Sequence, residues 1–414
     1  MQKTSWVSHA EHTDFSIYNL PFGIFSTDTN PHPRAGIAIG DQVVSLTALA
    51  QTGLLNQTLS DHTVFNRPVL NDFIALGKPV TNAVRLRVQE LLETGNEELK
   101  PHTDEVLVPM NRVRMHLPLH IGDYTDFYSS EEHATNVGTM FRGKDNALMP
   151  NWKHLPVAYH GRSSSIVVSG TDIRRPKGQT KGPDDERPAY GPSKAMDFEL
   201  EMGFIVGRNS EMGEPIPTDR AEEYIFGFFL FNDWSARDIQ RWEYVPLGPF
   251  LGKNFASAVS PWIVTLEALE PFRVAGPEQE PAVLPYLEYT GNKAFDIQLE
   301  VQLQPEGGKA ESICHSNFKY LYWNIAQQLA HHTVNGCNVR VGDVMASGTI
   351  SGKDPGSYGS MLELTWAGKN PLKLSDGSER KYLQDTDTVI MKGYAEANGM
   401  RVGFGEVTNK LLPS

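Results

Sequence analysis

The chain has 414 residues, 40% hydrophobic and 21% charged, with a formal charge of −13 at pH 7. That acidity argues against nucleic acid or an anionic membrane as partner, since both reward a basic surface. The two cysteines, Cys314 and Cys337, show no CxxC and no ligand-like spacing to histidine, so the thiols read as reduced and more as small hydrophobes than as nucleophiles.

The first residues lack the apolar core of a signal peptide, and no apolar run reaches the length of a membrane span, so a cytoplasmic protein is expected. Residues 1–118 read as a small separate unit. Short strands are predicted at 22–25 and 35–39, and Gly40-Asp41 turns the chain into a third at 43–46. Helices are predicted over 69–76, ended by Gly77, and over 81–92, with Val84, Leu86, Val88, Leu91 and Leu92 as the apolar face. No clustered chemistry marks this unit, which reads as a scaffold or a support for a dimer.

From 119 to 414 the pattern is β-rich, with strands predicted at 165–169, 198–206, 224–232, 259–266, 295–303, 343–346, 361–366, 388–392 and 401–407. Between 295 and 303, apolar Phe295, Ile297, Leu299, Val301 and Leu303 alternate with polar residues, as in a strand wet on one face. One helix is predicted over 317–333, capped by Ser316 and closed near Gly336. Many strands with few helices predict a β-rich sandwich or roll rather than βαβ repeats. The stretch 170–194, rich in Gly, Pro, Lys and Asp, reads as a long site-bordering loop or lid, with surface decoration as its close rival.

Within the 198–206 strand, Glu199 and Glu201 project to one face while Phe198, Leu200, Met202 and Phe204 line the other. Burying two adjacent carboxylates is costly unless a cation compensates. With Asp126 and Asp233 they offer four oxygen-bearing side chains suited to Ca²⁺ or Mg²⁺. Other features carry less. His331 and His332 do not share a helix face, Gly252-Lys253 lacks the spacing of a phosphate loop, and Trp234 and Trp242 read as packing residues.

Four segments are dense in polar, aromatic and small residues: 121–142, 155–162, 231–255 and 346–350 with Glu363. The runs Gly-Asp-Tyr-Thr-Asp-Phe-Tyr-Ser-Ser (122–130), Asn-Asp-Trp-Ser-Ala-Arg-Asp-Ile-Gln (232–240) and Trp-Glu-Tyr-Val-Pro-Leu-Gly-Pro-Phe-Leu-Gly-Lys (242–253) closely resemble the fumarylacetoacetate hydrolase family. The resemblance covers nearly the whole chain. It implies an SH3-like N-terminal barrel (1–118), a C-terminal mixed β-sandwich roll (119–414), a homodimer, and hydrolysis of a carbon–carbon bond between two carbonyl groups. It further implies Asp126, Glu199, Glu201 and Asp233 as Ca²⁺ ligands, and Asp233, Lys253 and Ser257 beside Mg²⁺. His133 with Glu363 would activate water, and Arg237, Gln240 and Lys253 would stabilise the leaving group. Tyr128, Arg142, Tyr159, Gln240, Tyr244 and Thr349 would contact the substrate. Ser257 stands where threonine is often found, and either supplies a hydroxyl.

The chemistry asks for such residues. Water is a poor nucleophile near neutral pH, so a base titrating there is needed, and histidine serves once a carboxylate fixes its tautomer. The departing carbanion is tolerable only as an enolate met by cations or donors. Rival readings are a related acylpyruvate hydrolase, a decarboxylase or isomerase of the same superfamily, and a non-catalytic Ca²⁺-stabilised binding protein.

Overall fold

The strand Leu200–Val206 is buried at every position, as is its antiparallel neighbour Ile225–Asp233. A strand buried on both faces must be covered on both, and this requirement organises the molecule. The computed structural model describes residues 3–11 and 13–414. Among the described residues it is β-rich, with three larger sheets, one of them N-terminal, four two-stranded ones and mostly short helices.

The central sheet of eight strands runs Ala158–His160, Tyr124–Phe127, Val344–Ala346, Leu200–Val206, Ile225–Asp233, Ser257–Val259, Ile166–Val168, with Val264–Thr265 also paired to Ile225–Asp233. It is mixed, because Tyr124–Phe127 runs parallel to Val344–Ala346 and Ile166–Val168 parallel to Ser257–Val259, while the other pairs are antiparallel. Phe198, Leu200, Met202, Phe204, Phe228 and Leu230 pack into one core with Leu299, Val301, Val389, Met391 and Val407 of a five-stranded sheet. The opposite face, through Ile205, Phe229, Phe231 and Val344, packs into a core shared with Phe22, Ile24, Ile37, Leu49 and Phe73. These belong to the N-terminal part, an antiparallel sheet in the order Leu107–Pro109, Gln42–Ser45, Asn30–Ile39, Phe22–Thr27, Val113–His116.

Five helices matter here: α1 (Lys78–Leu92), α2 (Glu131–Arg142), α3 (Arg237–Glu243), α4 (Ile325–Thr333) and α5 (Met361–Leu364). Helix α1 begins earlier than expected, with Pro79 in its first turn, and Leu86 of the predicted apolar face is exposed. The helix predicted over 69–76 is a single turn, Asn71–Ile74.

Other expectations fail for readable reasons. The helix predicted over 317–333 is a strand end, a 3₁₀ turn and then α4, which starts at an Asn324–Gln327 capping box. The strand predicted over 361–366 is helical, because Ser360 caps the backbone N–H of Glu363. The strand predicted over 259–266 is broken around Pro261, which has no N–H to give. The hydroxyl of Ser260 accepts the N–H of Leu230 there instead. The supposed loop 170–194 contains a hairpin, Lys177–Thr180 with Ala189–Pro192, packed against α3 near Ile239 and Trp242. Of the cysteines, Cys314 is buried as expected and Cys337 is exposed. Among the described residues no helix is long and apolar enough to cross a membrane.

Candidate active site

Strand register explains how four carboxylates meet. Asp126 lies two residues beyond Tyr124, Asp233 two beyond Phe231, and Glu199 and Glu201 share the phase of Ile205. Tyr124, Phe231 and Ile205 all enter the core shared with the N-terminal part, so the carboxylates lie on that same face, past the edge of its apolar packing. Tyr124 and Phe231 pack against each other beneath them, their rings tilted by 42° with centroids 5.2 Å apart. One oxygen from each of Asp126, Glu199, Glu201 and Asp233 lies within 4.8 Å of the others, and all four residues are buried. Glu199 and Glu201 therefore do not lie on a solvated strand face.

Two cations enter this nest. Lys253 Nζ donates to Glu199 Oε2 and, at 2.5 Å, to Asp233 Oδ2. Arg237 donates through Nε to Asp197 Oδ2 (2.8 Å) and through Nη1 to Gln240 Oε1 (3.2 Å). Its Nη2 sits 2.7 Å from Glu199 Oε1 as an ion pair without N–H alignment. Ser257 Oγ donates to Asp233 Oδ1 at 2.9 Å, so Lys253 and Ser257 converge on one carboxylate. The Tyr159 hydroxyl lies 2.9 Å from Asp126 Oδ2 and 2.8 Å from Asp233 Oδ2.

The charges do not balance evenly. Burial alone would raise Glu199, but Lys253 and Arg237 hold it far below the usual carboxylate range. Burial, reinforced by the neighbouring anions, pushes Asp126 and Glu201 well above that range. Asp126 Oδ1 and Glu201 Oε1 are buried with no hydrogen-bond partner. Two orphaned oxygens in a hard-oxygen donor set are what a divalent cation would satisfy, so the residues fit a metal ion. The other oxygen of Glu201 accepts from Gly348 N at 3.0 Å, an approach that needs glycine, because φ is +78° and a Cβ would stand 2.3 Å from the Phe127 carbonyl.

His133 occupies the first turn of α2, its N–H capped by Ser130 Oγ at 3.1 Å. Its Nδ1 lies 2.7 Å from Glu363 Oε2, a pairing that in a neutral imidazole puts the proton on Nδ1 and leaves Nε2 as the acceptor. Glu363 also accepts from Ser351 (3.0 Å), Ser360 (2.9 Å) and Asn136 (3.0 Å). Burial would raise its pKa, yet His133, Asn136 and Ser360 keep it below the ordinary value. Glu199 bridges to Ser360 through the backbone, and Ser360 donates to Glu363, which ties the histidine pair to the acidic nest.

The remaining predicted residues take varied places. Tyr128 lies edge-on to His133 at 5.1 Å, and the Thr349 hydroxyl is buried and unpartnered. Arg142 is exposed, held by the carbonyls of Asn146 (3.1 Å) and Ala147 (2.6 Å). Tyr244 is half-exposed and opens a segment whose Val245, Leu247, Phe250 and Leu251 face solvent. Sequence reasoning passed over Asn136, Ser351, Ser360 and Asp197. Asn136 lies three residues after His133 on the same helix face, and Ser360 stands in a Ser-x-x-Glu pattern, so both were detectable.

A model of the fumarylacetoacetate hydrolase C-terminal domain matches residues 123–412, and a fumarylacetoacetase N-terminal model matches 18–118. The chain belongs to the fumarylacetoacetase family. It is 54% identical to human fumarylacetoacetase over 415 residues, covering 99% of each chain. Identity to the fumarylacetoacetase of Caenorhabditis elegans is 54% over 416 residues (99% of each), and to that of Arabidopsis thaliana 50% over 416 (99% and 98%). Membership in this family makes the chain a hydrolytic enzyme. Among solved structures, fumarylacetoacetate hydrolase from Exiguobacterium antarcticum is similar at TM-score 0.54 and 17% identity, over 95% of this chain and 100% of its own. Maleylpyruvate hydrolase from Sphingobium gives TM-score 0.52 at 14% identity with the same coverage. Such distant likenesses speak for the fold alone.

Proposed function

We propose that this family member hydrolyses fumarylacetoacetate to fumarate and acetoacetate, the last step of tyrosine and phenylalanine breakdown. The observation that carries the reading is the His133–Glu363 pair set beside a carboxylate nest that also holds Lys253 and Arg237. His133 Nε2 takes a proton from water as the water oxygen bonds to the ketone carbon beside the scissile bond. Glu363 holds the Nδ1 proton in place and stabilises the imidazolium that forms. The carbon–carbon bond then breaks, its electron pair leaving as the enolate of acetoacetate, which is protonated at carbon. Lys253, Arg237 and Gln240 meet the charge on the enolate oxygen.

Ca²⁺ held by Asp126, Glu199, Glu201 and Asp233, with Mg²⁺ near Asp233, Lys253 and Ser257, would supply Lewis-acid polarisation and orientation of the 1,3-diketone. Tyr128, Tyr159, Gln240, Tyr244, Thr349 and Arg142 are assigned to the substrate's carboxylates and carbonyls, cationic Arg142 matching a dianion in an acidic protein. We assign the N-terminal part (1–118) to an SH3-like barrel preceding the β-roll (119–414), and the assembly to a cytoplasmic homodimer. The exposed apolar run 244–251 supports association with a second copy.

The test is an absorbance assay of the metal-loaded protein with fumarylacetoacetate and with acetylpyruvate. The reading expects much faster cleavage of the first. Preference for acetylpyruvate would move the protein to the acylpyruvate hydrolases.

A further inference from the structure

Asp197 precedes Glu199 by two residues and belongs neither to the carboxylate nest nor to the water-activating pair, yet it touches the supports of both. It is fully buried. Its Oδ2 accepts from Arg237 Nε (2.8 Å) and from Leu362 N (3.1 Å). Its Oδ1 accepts from Met361 N (2.7 Å) and from Phe198 N (2.8 Å). Met361 and Leu362 are the first two residues of α5, and Glu363 is the third. One carboxylate therefore fixes both the Arg237 guanidinium and the start of the helix that aims Glu363 at His133.

We propose that Asp197 is a positioning residue that sets the spacing between the His133–Glu363 pair and Arg237, an inference that rests on the hydrolase reading above. Four donors surround its two oxygens, a demand that only an ionised carboxylate meets in full. An amide at this position would offer one acceptor oxygen and turn its own N–H groups toward two donors. Asp197 also supplies Arg237 with a counter-charge of its own. Without it, the guanidinium would lean on Glu199 and draw a carboxylate out of the nest.

A merely structural role is the rival, and Asp387 calibrates it. This second buried aspartate pairs with Arg380 and makes no hydrogen bond to any site residue. Asp197→Asn, Asp197→Glu and Asp387→Asn are compared by kcat and KM for fumarylacetoacetate per Ca²⁺-loaded site, with Ca²⁺ affinity measured by calorimetry. Asp197→Asn is expected to lower kcat by about 10²-fold, the scale of a small misplacement at a reacting centre. KM and Ca²⁺ affinity should move far less, and Asp387→Asn should keep its kcat. Because Asp197 acts through Glu363, Asp197→Asn should cost a smaller factor in the Glu363→Gln background than alone. Should the Asn variant fail to fold, Asp197→Glu, which keeps the charge but shifts it by one methylene, must fold and lose kcat. Wild-type kcat in a folded variant, equal factors in both backgrounds, or failure of both variants to fold would overturn the proposal. A wild-type protein inert toward fumarylacetoacetate would instead remove the hydrolase reading itself.

Discussion

Two buried arginine–aspartate pairs, Arg380–Asp387 and Arg237–Asp197, are built from the same groups and differ in what surrounds them. Arg380 binds both oxygens of Asp387 through Nε and Nη2, at 2.8 and 2.9 Å, and its Nη1 donates to Ser378 Oγ and the Glu379 carbonyl. Asp387 also takes the N–H of Gln384, so the pair is closed. Arg237 divides its guanidinium among Asp197, Gln240 and Glu199, and in the nest that Glu199 shares, Asp126 and Glu201 keep buried oxygens without partners. The closed pair pins a turn. The open one leaves bonding capacity to be completed by a cation and a substrate, at a cost in stability that a purely structural site would not carry.

The largest effect should come from the open site. Stripping divalent cations should abolish turnover, with Ca²⁺ or Mg²⁺ restoring it. Glu201→Gln should weaken Ca²⁺ binding by roughly tenfold or more in calorimetry, since a hard-oxygen site loses an anionic ligand. Metal-free Glu201→Gln should melt no lower than the metal-free parent, because burial, reinforced by the neighbouring carboxylates, already holds Glu201 well above its ordinary pKa. Unchanged affinity, or marked destabilisation of the metal-free form, would erase the contrast with Asp387.

Next in size is the base. His133→Ala should lower kcat by roughly 10²–10⁴-fold with little change in the binding of a substrate analogue. Glu363→Gln should also lower kcat, and the double variant should fall far short of the product of the single effects.

The closed pair should behave in the opposite sense. Asp387→Asn should cost about 3 kcal/mol in denaturant unfolding, the scale for breaking a buried ion pair, with kcat per folded site retained. The smallest effect concerns His332, whose burial lowers its pKa to about 4. The folded form stays neutral where the unfolded chain takes up a proton, so the stability tied to His332 is present above about pH 6.5 and lost as pH falls toward 4. His332→Gln should flatten that part of the stability profile; an unchanged slope would show that His332 does not contribute to it.

Much of this contrast was legible in the sequence. The period-2 pattern around 199–206 placed both glutamates on one face, and the four predicted ligands do converge. The His133–Glu363 contact spans 230 positions and came only through resemblance, because no local pattern encodes a long-range pair. Asp197 stayed hidden for a related reason. Its partners lie 40 residues away at Arg237 and 164 and 165 away at Met361 and Leu362, and the segment carrying Met361 and Leu362 was read as a strand. The Ser360–Glu363 capping pattern would have corrected that element. Propensity likewise misjudged 317–324, where the capping box at Asn324 and Gln327 starts the helix later than the apolar run suggested.

The most direct test is cleavage of fumarylacetoacetate, followed by loss of its diketone absorbance. It would compare the Ca²⁺-loaded protein, the same protein stripped of metal, and Ca²⁺-loaded His133→Ala with Ca²⁺ occupancy confirmed by calorimetry. The account predicts rapid turnover in the first, none in the second, and a loss of roughly 10²–10⁴-fold in the third despite a filled metal site. Near-normal turnover by the metal-loaded His133→Ala protein, or by the metal-free parent, would contradict it.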